Sequence, residues 1–520
     1  MNQPFNGRTA IRGAIMVMGS TYVTYALGLL TSVLVARTLG PNEFGRYTYM
    51  VWMAGLLIMF SNNGLTTTVI RFASESLGRG SPETARSIHG WLRRWQLVCV
   101  VLVTLVFLLI MPFFTPAGWE GHLAVFAGVV LVAAIAKSMF LFDVSVAKGY
   151  GLFHVEARST VTMSLINIVA VLVLVAMNAS LLAYLLLFTA VSVGYVVCSS
   201  AMLRKAGVRP SPEPIEPATL VRLKRHLGWT VVLTLSYAIS NKSIETWMLN
   251  AMVGSAAVGY FAIAAALTRG GVDLLASGLG TVLMPMMGHA FGKTGQDGVN
   301  AIMANAMRYF AFIGLLLAGT GALLADTAVA LLYGAEYKQV VGPLRAMMVV
   351  GGFTMIGGAF NALLSTTDNQ HLRVGYVLFS IVSVAVLSLL LIPRYGLNGA
   401  VAAHAISEVL IFALMATGVS RLLKLRVPWR ELGRMLACAL VALAIAIIPM
   451  LISGINLWTE LAAGLLYAAV FVLGTMVMRA WRAGDVHQLG LLLQRYPALA
   501  SRLQGRLQRW ADGLPADGAP

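Results

Sequence analysis

The chain has 520 residues, of which 58% are hydrophobic and 11% charged, with a net charge of +17 and a mean hydropathy of +0.81. That composition excludes a water-soluble enzyme or binding domain over most of the length and makes the chain a membrane protein. The basic excess does not point to nucleic acid, because no basic folded face is visible to receive it.

Apolar runs able to cross a hydrocarbon core of about 30 Å, roughly 20 residues each, recur from the start almost to the end. Strand-like alternation is absent, so the spans are helices and the fold class is an all-α polytopic membrane protein. Fourteen spans are expected, at 13–36, 47–71, 95–114, 121–142, 159–177, 180–203, 227–252, 257–287, 303–326, 343–365, 373–392, 397–420, 433–453 and 458–479. Arg8 and Arg12 precede the first span, and no small-residue cleavage site appears where a signal peptide would carry one. The first span therefore reads as a permanent helix with a cytoplasmic amino terminus.

Basic residues resist translocation and collect on the cytoplasmic side. Of the 37 Lys and Arg residues, 28 fall in loops assigned to the inside, including Arg71, Arg79, Arg86, Arg93 and Arg94 after the second span. Five fall outside (Arg37, Arg46, Lys338, Arg345 and Arg394), and Lys137, Lys242, Arg269 and Arg308 lie within spans or at their edges. The positive charge is first a topology signal, with an even number of spans and both termini in the cytoplasm.

Between the first two spans runs LGPNEFGRY, residues 39–47. Shifted by 214 residues without a gap it meets VGSAAVGYF, residues 253–261, with Gly40 on Gly254 and Gly45 on Gly259, and Asn63-Gly64-Leu65 then falls on Ser277-Gly278-Leu279. A helix-turn-helix matched at a fixed offset indicates internal duplication. Six spans separate the copies, so the halves run parallel, an arrangement in which a transporter's binding site lies between them near mid-membrane. The turn itself is structural: Gly40 supplies permissive backbone angles, Pro41 fixes the bend and Glu43 can cap the following helix. The expected organisation is a six-helix bundle at 1–203, a cytoplasmic linker at 204–226, a second six-helix bundle at 227–422, two accessory helices at 423–480 and a cytoplasmic tail at 481–520. The linker, RKAGVRPSPEPIEPATLVRLKRH, is rich in Pro and charge and reads as a tether on which two bundles could rock.

ARTLGPNEFGRYTYM, NNGL followed by IRF, and IPRYGLNGAVAAHAISEV at 392–409 together resemble the polysaccharide-exporting, O-antigen-flippase branch of the multidrug, oligosaccharidyl-lipid and polysaccharide exporter superfamily. The resemblance implies a V-shaped pair of bundles in a bacterial inner membrane that moves an undecaprenyl-diphosphate-linked oligosaccharide between leaflets. Its partners would be that substrate, membrane lipids and other polysaccharide-assembly proteins, with no nucleic acid and no cofactor. Two relatives compete. Cation-coupled drug antiporters typically carry an acid in the first helix, and this first span has none. Lipid II flippases keep several arginines in the cavity of the first two helices, where only Arg37 and Arg71 stand at span ends. A membrane glycosyltransferase or polymerase would need a large outer loop, and the outer loops here are short.

Ionisable side chains within a span are costly and are functional candidates by default. Lys242 and Glu245 lie one turn apart in SYAISNKSIETWML, and Arg269 and Asp273 are spaced i,i+4 in AALTRGGVDLL. Lys242 precedes Gly254 by 12 residues and Arg269 follows it by 15, which puts both roughly 18–22 Å from the outer end at 1.5 Å per residue. The four form either a self-compensating lock between two helices or a hydrated cluster whose cations hold a diphosphate; arginine suits the latter through its bidentate fork. Carried back by 214 residues they become Gly28, Thr31, Gly55 and Met59, so the amino-terminal wall is smoother and leaves Asn62 and Asn63 to meet sugars. Arg37 and Arg308 are further phosphate candidates, and His404 with Glu408, i,i+4, form a possible titrating or structural pair. Asp143 and Lys148 read as a surface pair.

GHAFGKT at 288–294 is one residue short of a phosphate-binding loop and follows a span rather than a strand, and GxSxG, HExxH and CxxC are absent. The expectation is therefore a non-enzymatic transporter driven by a gradient or by substrate supply. Cys99, Cys198 and Cys438 sit in apolar runs at no metal-ligand spacing and read as small core residues. In the tail, Leu499, Leu503, Leu507 and Trp510 form one stripe beside Arg502, Arg506 and Arg509, an amphipathic helix for anionic lipid or for another pathway protein.

Overall fold

The computed structural model describes residues 7–113, 121–240, 242–276, 296–366, 370–422 and 427–482, with a few isolated positions between. The tail stripe and GHAFGKT lie outside the described residues. In chain order the helices are α1 (Gly7–Asn62), α2 (Leu65–Gly78), α3 (Pro82–Ile110), α4 (Leu123–Gly149), α5 (Phe153–Ala176), α6 (Leu181–Lys205), α7 (Pro217–Ser240), α8 (Ser243–Met252) and α9 (Ser255–Thr268), which runs into a π turn at Arg269–Asp273. They continue with α10 (Gln296–Leu323), α11 (Ala325–Leu332), α12 (Val341–Thr354), α13 (Gly357–Thr366), α14 (Gln370–Leu422), α15 (Trp429–Ala446), α16 (Ile448–Ser453) and α17 (Leu457–Val477). A chain this apolar must satisfy its backbone internally, and helices do so within each segment. Among the described residues ten helices are long and apolar enough to cross a membrane.

Two of the ten carry two predicted spans each. The helical path of α1 is bent at Gly40 (φ 71, ψ 172), with Pro41 opening its second limb. That of α14 is bent at Gly396 (φ 55, ψ −127), three residues after Pro393. Gly254, the repeat partner of Gly40, also has a positive φ of 121, so both copies turn on a residue without a Cβ. Other predicted spans are interrupted midway. The second breaks between α1 and α2, where Asn63 (φ 37) and Gly64 (φ 79) are left-handed. The seventh breaks at Lys242 (φ 58), the eighth contains the π turn, and the tenth breaks between α12 and α13.

The chain divides into two compact units. The first comprises residues Met1–Ala266, Val329–Pro343 and Val374–Ser407. One end of it is an apolar cluster in which Leu65, Val69 and Phe72 of α2 pack with Ile88, Phe142 and Leu223 of α3, α4 and α7. Val208 and Ile215 of the linker are buried in the same cluster. The Ser211 amide donates to the Arg86 carbonyl at 3.0 Å, and Arg94 donates to the Pro212 carbonyl at 3.0 Å. A Cβ at Gly90 would come within 2.0 Å of the Ser211 carbonyl. The stretch expected to act as a tether is thus docked on this unit, through Val208 and Ile215 in the apolar cluster and through the hydrogen bonds to α3.

The repeat-related glycines meet in this unit. A Cβ at Gly45 would lie 1.8 Å from the Ser255 carbonyl oxygen, and one at Gly259 would lie 3.2 Å from the Gly45 Cα. Glu43 accepts from Arg46 at 2.8 Å.

The second unit comprises residues Leu267–Ala328, Leu344–Arg373 and Glu408–Pro520. Here the accessory helices pack against α10: Cys438, Ala439, Ala442 and Ala446 of α15 join Ala463, Tyr467 and Phe471 of α17 and Leu323 of α10. Tyr467 donates to the Leu315 carbonyl at 2.8 Å, and the missing side chain of Gly319 makes room for its ring. Glu460, fully buried, accepts from the Thr327 amide at 2.7 Å and so satisfies a donor in the first turn of α11.

Candidate functional site

In the first unit, Lys242 stands at the N-cap of α8 with φ 58 and ψ 14, outside the helix. It therefore does not share a helical face with Glu245, which the i,i+3 spacing alone suggests. Glu245 is 1% exposed and takes another partner: its Oε1 accepts from His404 Nδ1 at 3.0 Å, with the Phe261 ring edge-on to the imidazole. His404 and Glu245 come from sequence positions 159 apart, which no local pattern links. His404 is thus paired with Glu245 rather than with Glu408, which lies half-buried one turn further along α14.

Arg37, expected to guide phosphate, spends its fork on helix carbonyls. Nε donates to Leu332 O at 2.7 Å and Nη2 to Leu331 O at 2.5 Å, closing the end of α11. Tyr337 donates to the Ala36 carbonyl at 2.6 Å beside it. Asn62 is buried and accepts from Gln96 Nε2 at 3.2 Å, while Asn63 forms the left-handed turn after it.

Gln96 belongs to a network that sequence reasoning missed. Its Nε2 also donates to the Ser138 carbonyl at 3.0 Å, and Arg93 Nη1 donates to Gln96 Oε1 at 3.0 Å and to Asp143 Oδ1 at 3.2 Å. Ser199 and Ser200 donate to Asp143 Oδ2 at 3.1 and 2.6 Å. The supposed surface pair of Asp143 and Lys148 is corrected accordingly: Asp143 is 5% exposed inside this network, and Lys148 pairs with Glu156 at 2.8 Å. A glutamine and an aspartate in apolar runs were the available signal.

Beside the apolar cluster of the same unit, Arg222 donates to Glu75 at 2.9 Å, and Arg71 Nη1 lies 3.0 Å from His226 Nδ1. The Arg222 hydrogen bond holds the Glu75 carboxyl below the usual carboxylate range. Burial, helped by Arg71, pushes the His226 imidazole below its ordinary value. His226 is therefore neutral near pH 7 and accepts from Arg71 through Nδ1.

In the second unit, Arg269 and Asp273 occupy the two ends of the π turn, and both are exposed. Arg269 is fourteen residues beyond the start of α9, about 21 Å along the helix at 1.5 Å per residue. An arginine at that position along a spanning helix costs a few kcal/mol or more if it faces hydrocarbon. Extra-residue π turns recur at functional positions. Arg308 differs: it is 0% exposed, twelve residues into α10, and donates to Asn305 at 2.8 Å.

The geometry thus puts an exposed cation well along a spanning helix, together with broken helices and buried ion pairs. A family model described as polysaccharide biosynthesis protein matches residues 10–291, more than half of the chain. The chain belongs to the polysaccharide biosynthesis protein family. Comparison with curated proteins finds no match. Among solved structures, this family member is similar to the lipid II flippase MurJ in an inward closed conformation, with a TM-score of 0.69 at 14% identity over 89% of this chain and 98% of that one. It is also similar to an inward-facing multidrug resistance MATE transporter of the MOP superfamily, with a TM-score of 0.64 at 16% identity over 78% and 95% of the chains. A mutant of the Vibrio cholerae MATE transporter VcmN gives 0.58 at 14% identity over 80% and 97%. At such identities the likeness is one of fold, the multi-pass helical fold shared by these transporters.

Proposed function

We propose that this chain is a flippase that carries an undecaprenyl-diphosphate-linked oligosaccharide repeat unit from the inner to the outer leaflet of a bacterial inner membrane, for surface polysaccharide assembly. The observation that carries the reading is Arg269, exposed at a π turn half-way along its span. A planar guanidinium exposed at that depth suits a diphosphate, which it can pair in bidentate fashion. Lys242, at a broken helix of the first unit, is a further cation candidate in its own right. Family membership and the flippase-type fold support a lipid-linked substrate. Under this reading the isoprenoid tail stays in lipid, the diphosphate is held by Arg269, and alternating access moves the sugar across.

The Glu245–His404 pair fits an energy-coupling role, since a buried acid and an imidazole can exchange a proton without leaving a bare charge. Chemistry on the glycan is not part of the reading; the residues bind and move it.

The test is genetic and chemical. In a deletion strain, surface polymer should disappear while intact lipid-linked repeat units accumulate in the inner leaflet. Arg269→Ala should reproduce this at normal protein abundance and Arg269→Lys should restore part of the export. Normal polymer together with drug sensitivity in the deletion strain would replace the reading with a drug antiporter.

A further inference from the structure

The 214-residue offset sets α7 over the first limb of α1, so contacts between α2 and α7 join one copy of the repeat to the other. Within the first unit the copies also touch through Gly45 and Gly259, and the two contacts differ in kind. At the glycines backbone lies on backbone: a Cβ at Gly45 would fall 1.8 Å from the Ser255 carbonyl oxygen, and one at Gly259 would fall 3.2 Å from the Gly45 Cα. Neither glycine has a side chain to swing aside or a charge to lose, so the helices can turn about the point while keeping their separation.

Between α2 and α7 the contact is made by side chains. Arg222 Nη2 of α7 donates to both Glu75 oxygens of α2, at 2.9 and 3.3 Å, and Arg79, at the C-cap of α2, pairs with Glu75 Oε1. Arg71 and Arg222 place their guanidinium carbons 5.6 and 5.8 Å from the centre of the Phe72 ring, and the His226 ring lies 5.6 Å from the same centre. Glu75 and Arg222 lie outside the apolar runs expected at 47–71 and 227–252, and their side chains keep 26% and 47% of their surface exposed. An ion pair this open shifts an equilibrium by no more than about fivefold. Three cations, Arg71, Arg79 and Arg222, converge on the Glu75 carboxylate. Two of them belong to α2 and its cap and one to α7, so without that carboxylate like charges face each other across the seam.

We propose that Glu75 and Arg222 form an electrostatic latch between the two copies of the repeat, which opens about the Gly45–Gly259 contact as a pivot. That its opening belongs to a transport cycle rests on the flippase reading; the latch itself rests on the α2–α7 contacts. Weak, exposed ion pairs suit an element that must part and rejoin in every cycle, because a reversible switch needs states close in free energy. Phe72, buried beside the two guanidinium groups, sets the register in which α2 and α7 rejoin.

The experiment reads the α2–α7 distance by pulsed electron paramagnetic resonance on the full chain in nanodiscs. Cys99, Cys198 and Cys438 are replaced by alanine, and spin labels are carried on Gly78→Cys and Val221→Cys. Both labelled positions are exposed, and a Cβ at Gly78 meets nothing within 4 Å. Glu75→Arg should raise the ratio of long to short distances at least fivefold, and Glu75→Gln should raise it by a smaller factor. Adding Arg222→Glu to Glu75→Arg should restore the parent ratio. Raising the salt from about 0.05 to about 1 M should move the parent the same way as Glu75→Gln, which keeps the test decisive if Glu75→Arg fails to fold. Labels across the pivot, on Asn42→Cys and Met252→Cys, should keep one distance throughout. An unchanged ratio in Glu75→Arg and at high salt, a rise that Arg222→Glu does not reverse, or a second distance across the pivot overturns the proposal. Distances are read without transport, so a deletion strain with normal polymer would remove the flippase reading and leave the latch standing.

Discussion

Gly45 carries no side chain because the Ser255 carbonyl occupies the place where a Cβ would go. Gly45→Val should therefore lower stability by about 2 kcal/mol through overpacking, read as a fall in thermal midpoint in detergent. Gly28→Ala and Gly55→Ala are the controls: nothing lies within 4 Å of a Cβ at either, and each should stay within about 0.5 kcal/mol of the parent. The Arg71–His226 contact gives a pH prediction. The folded-state pKa of His226 is depressed, so its contribution is present above the ordinary imidazole range and is lost as pH falls through and below that range. Thermal stability should drop over that interval, and His226→Gln, which keeps an acceptor for Arg71, should flatten the drop. At this scale the sequence was a partial guide. That Arg269, Asp273 and Glu245 are ionisable residues within apolar runs was legible. The partner of each was not, because His404 reaches Glu245 and Arg37 reaches Leu331 only through the fold. Lys137 was visible as a mid-span cation, but its aromatic seat, the Tyr195 ring, is made by α6.

Helices were the more readable level. Length and hydropathy point to spanning helices, since about 20 apolar residues are needed wherever a helix crosses, and ten such helices are found among the described residues. The bends at Gly40 and Gly396 fall at glycines with a proline one and three residues away, and the Asn63-Gly64 break at a dipeptide that favours left-handed backbone. The π turn at Arg269 and the left-handed Lys242 carry no such signature and had to be seen. Glu460 illustrates how one element disciplines another. Its carboxylate accepts from the Thr327 amide, so Glu460→Ala should leave a buried donor unsatisfied and cost about 1–3 kcal/mol. Glu460→Gln, which keeps an acceptor oxygen, should cost less. Proteolysis of the purified protein near residues 325–332 would report the difference.

For the whole molecule, the imbalance of basic residues predicts cytoplasmic termini. A fluorescent protein fused after residue 482 should be bright, and alkaline phosphatase fused after Gly334 should be active; the reverse pattern would invert the topology. The 214-residue offset was legible in sequence, yet the face-to-face meeting of Gly45 with Gly259 needed coordinates, because spacing does not say which equivalent positions lie against each other. The fastening of the linker by Val208 and Ile215 was likewise hidden behind its proline and charge content. The discontinuity of the first unit has a consequence for biosynthesis. Arg37 is capped by carbonyls 294 and 295 residues downstream, which at about 5–20 residues per second leave the ribosome roughly 15–60 s later. During that interval the guanidinium must rest among lipid headgroups, so the nascent chain waits half-assembled in the bilayer, and insertase or chaperone occupancy should peak until residues 374–407 emerge.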